Sequence, residues 1–298
     1  MTAGYLERLA ARTARTGTVL CLGLDPDPAA LPAGFSADVA GIEAFCALLI
    51  EACLPCAAAI KPNLAFFEAF GPEGSAALER LRSKVPSDVP FIADAKRGDI
   101  GSTAARQATA LFDRLGADAV TVNPYLGGEA IEPLLERADR FAYILCRTSN
   151  PGAGELQDLV VAGGPDGPGE VGDATWPEPL YERVARRAAG WGPGGTVGLV
   201  VGATAPDEMA RIRAAAPGLA FLVPGVGAQG GEVEPVLRHG PATASPGASG
   251  HGGGLLVNVS RGIARAAGEG SPGAVRIDLG EALATAAQAW AERLPMLR

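Results

Sequence analysis

Lysine is almost missing from this chain: three of 298 residues, beside 22 arginines. Histidine occurs twice, at His239 and His251, and aromatic residues make up 5% of the total. With a net charge of −8, no basic block and few aromatics, the chain lacks what a nucleic acid or an anionic membrane surface would select, and a small ligand is the expected partner. No stretch approaches 18 uninterrupted apolar residues, and the amino terminus, MTAGYLERLAARTARTG, carries charges throughout with no apolar h-region. Neither a membrane span nor a secretory signal is expected, which reads as a cytoplasmic protein. Five cysteines without such a signal are expected to be reduced and packed as small hydrophobes. Cys53 and Cys56 share C-x-x-C spacing, yet no second pair follows at zinc-like spacing and the pair closes a helical pattern. Buried packing is expected there, and no metal or organic cofactor is implied.

What is present is alternation. Apolar, β-branched runs recur at 18–25, 59–63, 90–96, 119–124, 141–148, 196–203, 220–227 and 254–260. Their near-continuous hydrophobicity suits a parallel sheet covered on both faces. Amphipathic stretches at 42–56, 74–85, 101–115, 129–138, 178–189, 206–215, 231–238 and 262–267 alternate with them. Eight β-α units predict an α/β fold, a single TIM barrel over 1–298, and 48% hydrophobic content is ample for its core. A doubly wound open sheet is the alternative, but no G-x-G-x-x-G follows the first strand. Gly/Pro-rich segments at about 152–176 and 240–253 read as insertions on the active face, lids or solvated inserts. An Ala-rich tail at 279–294 is expected to be a helix packed on the barrel exterior or on a partner.

Two of the three lysines sit beside carboxylates at strand ends: Lys61 in AAAIKPN and Lys96 in FIADAKRGDI. Where arginine is the default cation, a retained lysine points to chemistry that needs a removable proton. Asp94, Lys96 and Asp99 form D-x-K-x-x-D at the carboxyl end of the third strand, and period-two alternation sends Asp94 and Lys96 into one pocket. Asp99 lies past the strand end, as a helix N-cap or as a group projecting toward a neighbouring subunit. Glycines 225, 227, 230 and 231 suit either a phosphate loop or a plain βα turn. Asp25, Arg147, Ser149 and Asn150 are equally consistent with loop-forming or structural roles.

The run DAKRGDIGSTA resembles the signature of the orotidine 5′-monophosphate decarboxylase family. GLD at 23–25, IKPN at 60–63, RTSNPGA at 147–153, PGVGAQGG at 224–231 and SRG at 260–262 are similar to other segments of that family, in order. The two insertions resemble those of its larger bacterial members. The resemblance implies a homodimeric barrel that decarboxylates a nucleotide without a cofactor, in the last step of de novo pyrimidine biosynthesis. Lys96 would protonate C6, Asp94 would sit against the departing carboxylate, and Lys61 would bridge Asp94 and the ribose. Asp99 would cross the dimer interface with Thr103 beside it. Asp25 would accept from ribose hydroxyls, Ser149 would read the pyrimidine amide edge, and Gln229, Gly230 and Arg261 would hold the phosphate. Two other functions fit the same scaffold: a Mg²⁺-dependent sugar-phosphate decarboxylase or aldolase, which carries the same D-x-K-x-x-D, and a non-catalytic phosphate-ligand-binding barrel.

Overall fold

The computed structural model describes residues 3–162, 177–227, 229–243, 252–268 and 276–297. Each apolar run becomes a barrel strand: β1 Leu20–Leu24, β2 Ala59–Pro62, β3 Ile92–Arg97, β4 Ala119–Val122, β5 Phe141–Arg147, β6 Val197–Val201, β7 Ala220–Val223 and β8 Leu256–Val259. All eight are parallel, in the order β2-β1-β8-β7-β6-β5-β4-β3. The ends of that row meet through the parallel bridges Ile60↔Phe91 and Asn63↔Asp94, so the sheet closes on itself.

Period two divides the strand residues between two cores. Leu22, Ile60, Val120, Ile144, Leu199, Phe221 and Val257 face the surrounding helices, whereas Cys21, Ala59, Ile92, Ala119, Phe141, Ala220 and Leu256 fill the barrel interior. The amphipathic stretches form helices within a few residues of the expected bounds, Val39–Cys53 and Pro206–Ala215 among them. The stretch at 101–115 is α-helical over Gly101–Ala108 and widens to a π-helix over Thr109–Arg114. The carboxy-terminal helix runs Arg276–Arg293 and seats Leu279, Leu283, Ala287 and Ala291 on the barrel exterior, packing along helix Val39–Cys53. All five cysteines are free and buried. Burial pushes the Cys53 and Cys56 thiols up, and Cys56 Sγ–H donates to Cys53 O, so the C-x-x-C pair packs as expected.

The helix Tyr5–Thr16 is an element that the strand–helix rhythm did not reveal. It places Tyr5, Leu9, Arg12 and Thr13 on one buried face and ends at Gly17, whose φ of 70° caps it. Tyr5 stacks on Phe141 at 4.6 Å and its hydroxyl meets that of Tyr143 at 3.1 Å. Arg8 donates to Asp118 at 2.6 Å, just before β4. The helix thereby plugs the amino-terminal mouth and leaves the carboxyl ends of the strands as the open face. After β5, Gly154–Gln157 is a short helix, and Val160–Val161 pairs antiparallel with Glu178–Pro179. The remainder of both expected insertions, 163–176 and 244–251, lies outside the described residues.

Candidate active site

The interior layer changes character toward the carboxyl ends of the strands. Continuing each strand's inward-facing set in steps of two toward its carboxyl end gives Lys61 on β2, Asp94 on β3, Thr121 on β4, Leu145 on β5, Val200 on β6, Leu222 on β7 and Asn258 on β8. All of them line one cavity of about 470 Å³. On β1 the equivalent residue is Gly23, where a Cβ would stand 2.9 Å from Asn258 Oδ1 and 2.8 Å from Ser260 Cβ. Lys96 at the end of β3 and Asp25, Asn63, Ser149, Gln229 and Arg261 beyond the strand ends complete the wall.

Asp94 organises the charged side. Its Oδ2 accepts from Lys61 Nζ at 2.6 Å, and its Oδ1 accepts from Lys96 Nζ at 2.6 Å and from Thr121 Oγ1 at 2.9 Å. Lys61 is 4% exposed, Asp94 11% and Lys96 50%, so the array is sealed at its base and open at Lys96. Burial alone would raise the Asp94 carboxyl, but the two ammoniums outweigh it and hold that carboxyl well below the usual carboxylate range. Burial likewise disfavours the Lys61 ammonium, yet Asp94 and Asp25 outweigh it and the net shift is upward. Pairing therefore keeps both groups charged against the cost of burial, each compensating the other.

Lys96 lines the cavity with Asp94, as period-two alternation predicts, but its backbone is irregular. It is the non-glycine residue with positive φ among the described residues, at 48°, and the β3–β4 register shifts between Ala93 and Arg97. The bulge is fastened by Lys96 N–H donating to Thr121 Oγ1 at 3.0 Å. Thr121 thus ties backbone and carboxylate together. Alternation alone puts Lys96 on the same side as Asp94, and the register shift adds a left-handed backbone at Lys96.

On the opposite wall, Ser149 Oγ–H donates to Gln229 Oε1 at 2.6 Å. The loop from Pro224 to Gly231 folds on itself: Gly227 N–H donates to Gly231 O, Gly230 N–H to Gly227 O and Gly231 N–H to Gly225 O. Its glycines serve the turn, with φ of 99° at Gly225, 73° at Gly227 and 88° at Gly230. Those three amides are committed within the loop, and Gly230 does not line the cavity. Arg261 stands exposed on the cavity wall at the start of a four-residue helix, and among the described residues nothing pairs with its guanidinium.

Asp99 and Thr103 lie outside the cavity of the protomer. Asp99 is not the N-cap of the next helix; that position is Ile100, whose N–H donates to Asp99 Oδ1 at 2.8 Å. Arg147 is bound to Asp158 through two parallel hydrogen bonds of 2.7 and 3.1 Å, which fastens the start of the post-β5 segment. Gln157 reaches back to Thr148, its Oε1 accepting from Thr148 N–H at 2.8 Å. Thr121, Gln157 and Asn258 were not singled out from the sequence. For Thr121 and Asn258 the available signal was a polar residue inside an apolar strand run, AVTV and LVNV.

The profile of the orotidine 5′-phosphate decarboxylase / HUMPS family matches residues 18–272. An orotidine 5′-phosphate decarboxylase of Roseiflexus castenholzii is 48% identical over 258 residues, 86% of this chain and 87% of the relative. One of Thermomicrobium roseum is 46% identical over 260 residues, 87% of this chain and 86% of the relative. The solved OMP decarboxylase of Leishmania donovani superposes with a TM-score of 0.77 at 40% identity, covering 97% of both chains. With the profile matched over residues 18–272 and relatives 46–48% identical across most of the chain, this chain belongs to the orotidine 5′-phosphate decarboxylase / HUMPS family.

Proposed function

We propose that this barrel decarboxylates orotidine 5′-monophosphate to UMP and CO₂, a carboxy-lyase reaction of pyrimidine biosynthesis, without a metal or an organic cofactor. The observation that carries the reading is the Lys61–Asp94–Lys96 array at one end of the cavity, with Gln229 and the uncommitted Arg261 on its other wall. In the reaction, the C6–carboxylate bond breaks and its electron pair stays on C6. A pyrimidine ring offers no sink for that pair, so a fixed cation must stabilise it and a proton must quench it. Lys96 Nζ supplies both: its charge faces the developing carbanion, and one of its protons passes to C6 as CO₂ departs. Asp94 stands where the substrate carboxylate arrives, and Lys61 keeps Asp94 ionised while reaching the ribose. Asp25 accepts from ribose hydroxyls, Ser149 reads the pyrimidine amide edge, and Gln229 and Arg261 hold the phosphate. The grip on that remote dianion supplies binding energy that positions the pyrimidine against the array.

The Mg²⁺-dependent sugar-phosphate reading shares the family, but here both oxygens of Asp94 face ammonium groups, a poor setting for a divalent cation. A non-catalytic ligand-binding barrel would have no need of a buried lysine held charged beside an exposed one.

The active unit in this reading is a homodimer in the cytoplasm. Ile100, Tyr125 and Leu126 are large, exposed apolar side chains in the loops after β3 and β4. Burying them against a second copy would bring Asp99 and Thr103 of one protomer toward the other's Lys96. The deciding measurement is loss of substrate absorbance on mixing the protein with orotidine 5′-monophosphate, with and without EDTA. Equal rates are expected, and turnover that vanishes with the chelator would transfer the assignment to the sugar-phosphate chemistry.

A further inference from the structure

Trp290 belongs to the carboxy-terminal helix, far in sequence from the site, yet its indole touches both loops on the phosphate side. Its Nε1–H donates to Gly262 O at 3.2 Å. A Cβ added at Gly262 would stand 3.0 Å from Trp290 Nε1, and one added at Gly227 would stand 3.0 Å from Trp290 Cη2. One glycine follows Arg261 directly and the other lies two residues before Gln229, so each loop leaves out a side chain where the same ring enters. Arg293 covers the ring, its guanidinium carbon 4.1 Å from the centroid. We infer that Trp290 is a positioning residue that wedges between the β7 and β8 loops and sets Gln229 and Arg261 at the spacing a phosphate requires.

This rests on the reading that Gln229 and Arg261 hold the phosphate. The physical reason is that Arg261 sits on a helix of four residues, too short to hold its own direction. The loop after β7 turns its Gly227, Gly230 and Gly231 amides on itself and is tied outward at Pro224 O, which accepts from Ala203 N–H, and at Gln229, which accepts from Ser149. A rigid ring carried on the 18-residue helix Arg276–Arg293, itself buried against the barrel, supplies a constraint common to both loops.

The test compares two competitive inhibitors of decarboxylation, UMP and uridine, which differ only in the phosphate. Trp290→Ala is expected to raise the UMP inhibition constant about tenfold while leaving that of uridine within about twofold. Trp290→Phe keeps most of the ring and loses the N–H, so the UMP constant should rise about threefold. A merely structural fault in the helix would weaken both ligands together; equal losses, or no change for UMP, would overturn the role. Should Trp290→Ala show no cooperative thermal transition, Trp290→Phe decides alone, and an unchanged UMP-to-uridine ratio in it overturns the role. Arg261→Ala separates the two levels. If it too leaves the ratio intact, the phosphate assignment falls along with the inference; if it collapses the ratio while the Trp290 variants do not, only the positioning role falls.

Discussion

Lys96 Nζ lies 2.6 Å from Asp94 Oδ1 although one residue separates the two on β3, and the backbone between carboxylate and ammonium passes through a left-handed φ of 48°. A non-glycine residue held there costs about 1–3 kcal/mol, and such strain persists where surrounding contacts over-determine it. Here those contacts are the ion pair itself and the Lys96 N–H bond to Thr121 Oγ1. The ammonium proposed as the acid is thus aimed by the fold before any ligand arrives.

The distinction between charge and proton donation sets the first expectation. Lys96→Ala should lower kcat by at least about 10³-fold, and Lys96→Arg should recover little, because a guanidinium keeps the charge but does not release its proton. The assay is absorbance loss on orotidine 5′-monophosphate. Near-normal turnover in the arginine variant would remove the acid role from Lys96.

Thr121→Val is nearly isosteric and isolates the fastening of the bulge. Loss of its hydroxyl removes a donor to Asp94 and the acceptor for Lys96 N–H, so kcat should fall about tenfold with KM little changed. A change in KM alone would mean that Thr121 serves binding instead of aim.

The acid side of the stability profile reports on Asp94. Its folded carboxyl titrates well below the ordinary value, held down by Lys61 and Lys96 against burial, while the unfolded one takes up its proton near about pH 3.9. Below that pH the unfolded state binds more protons, so the stabilisation is fully present above about pH 4 and is lost as pH falls toward the folded value. Urea unfolding of wild type and Asp94→Asn should differ by a constant amount between about pH 5 and 8 and begin to converge below about pH 4. Parallel curves down to pH 3 would contradict the assigned depression.

A shared site makes a stoichiometric demand. Mixing Asp99→Ala protein with Lys96→Ala protein, each inactive, should restore activity, because one site of a hybrid dimer collects both defects and the other retains Lys96 and Asp99. With free exchange at equal amounts, half the dimers carry one intact site, and recovery should approach about a quarter of wild type. If native mass spectrometry shows hybrids and no activity returns, Asp99 acts within its own chain.

The amino-acid sequence alone was sufficient for the eight strands, from Leu20–Leu24 to Leu256–Val259, because strands buried on both faces must be apolar throughout and the helices between them must be amphipathic. It was also sufficient to place Lys61, Asp94 and Lys96 at strand ends, since charge has little reason to interrupt such runs except at a site. The tertiary structure decided what depends on contacts distant in sequence. Closure of β2 on β3 sets Lys61 against Asp94, and pairing with β4 offers Thr121 to the β3 bulge. Asn258 fills the space that Gly23 leaves on the neighbouring strand. The Tyr5–Thr16 helix plugs one mouth, Arg147 turns to Asp158, Asp99 stays outside its own cavity and Trp290 meets the loops after β7 and β8. Periodicity along the chain reports which face of an element is buried; which residue of another element it meets is set only when the barrel closes.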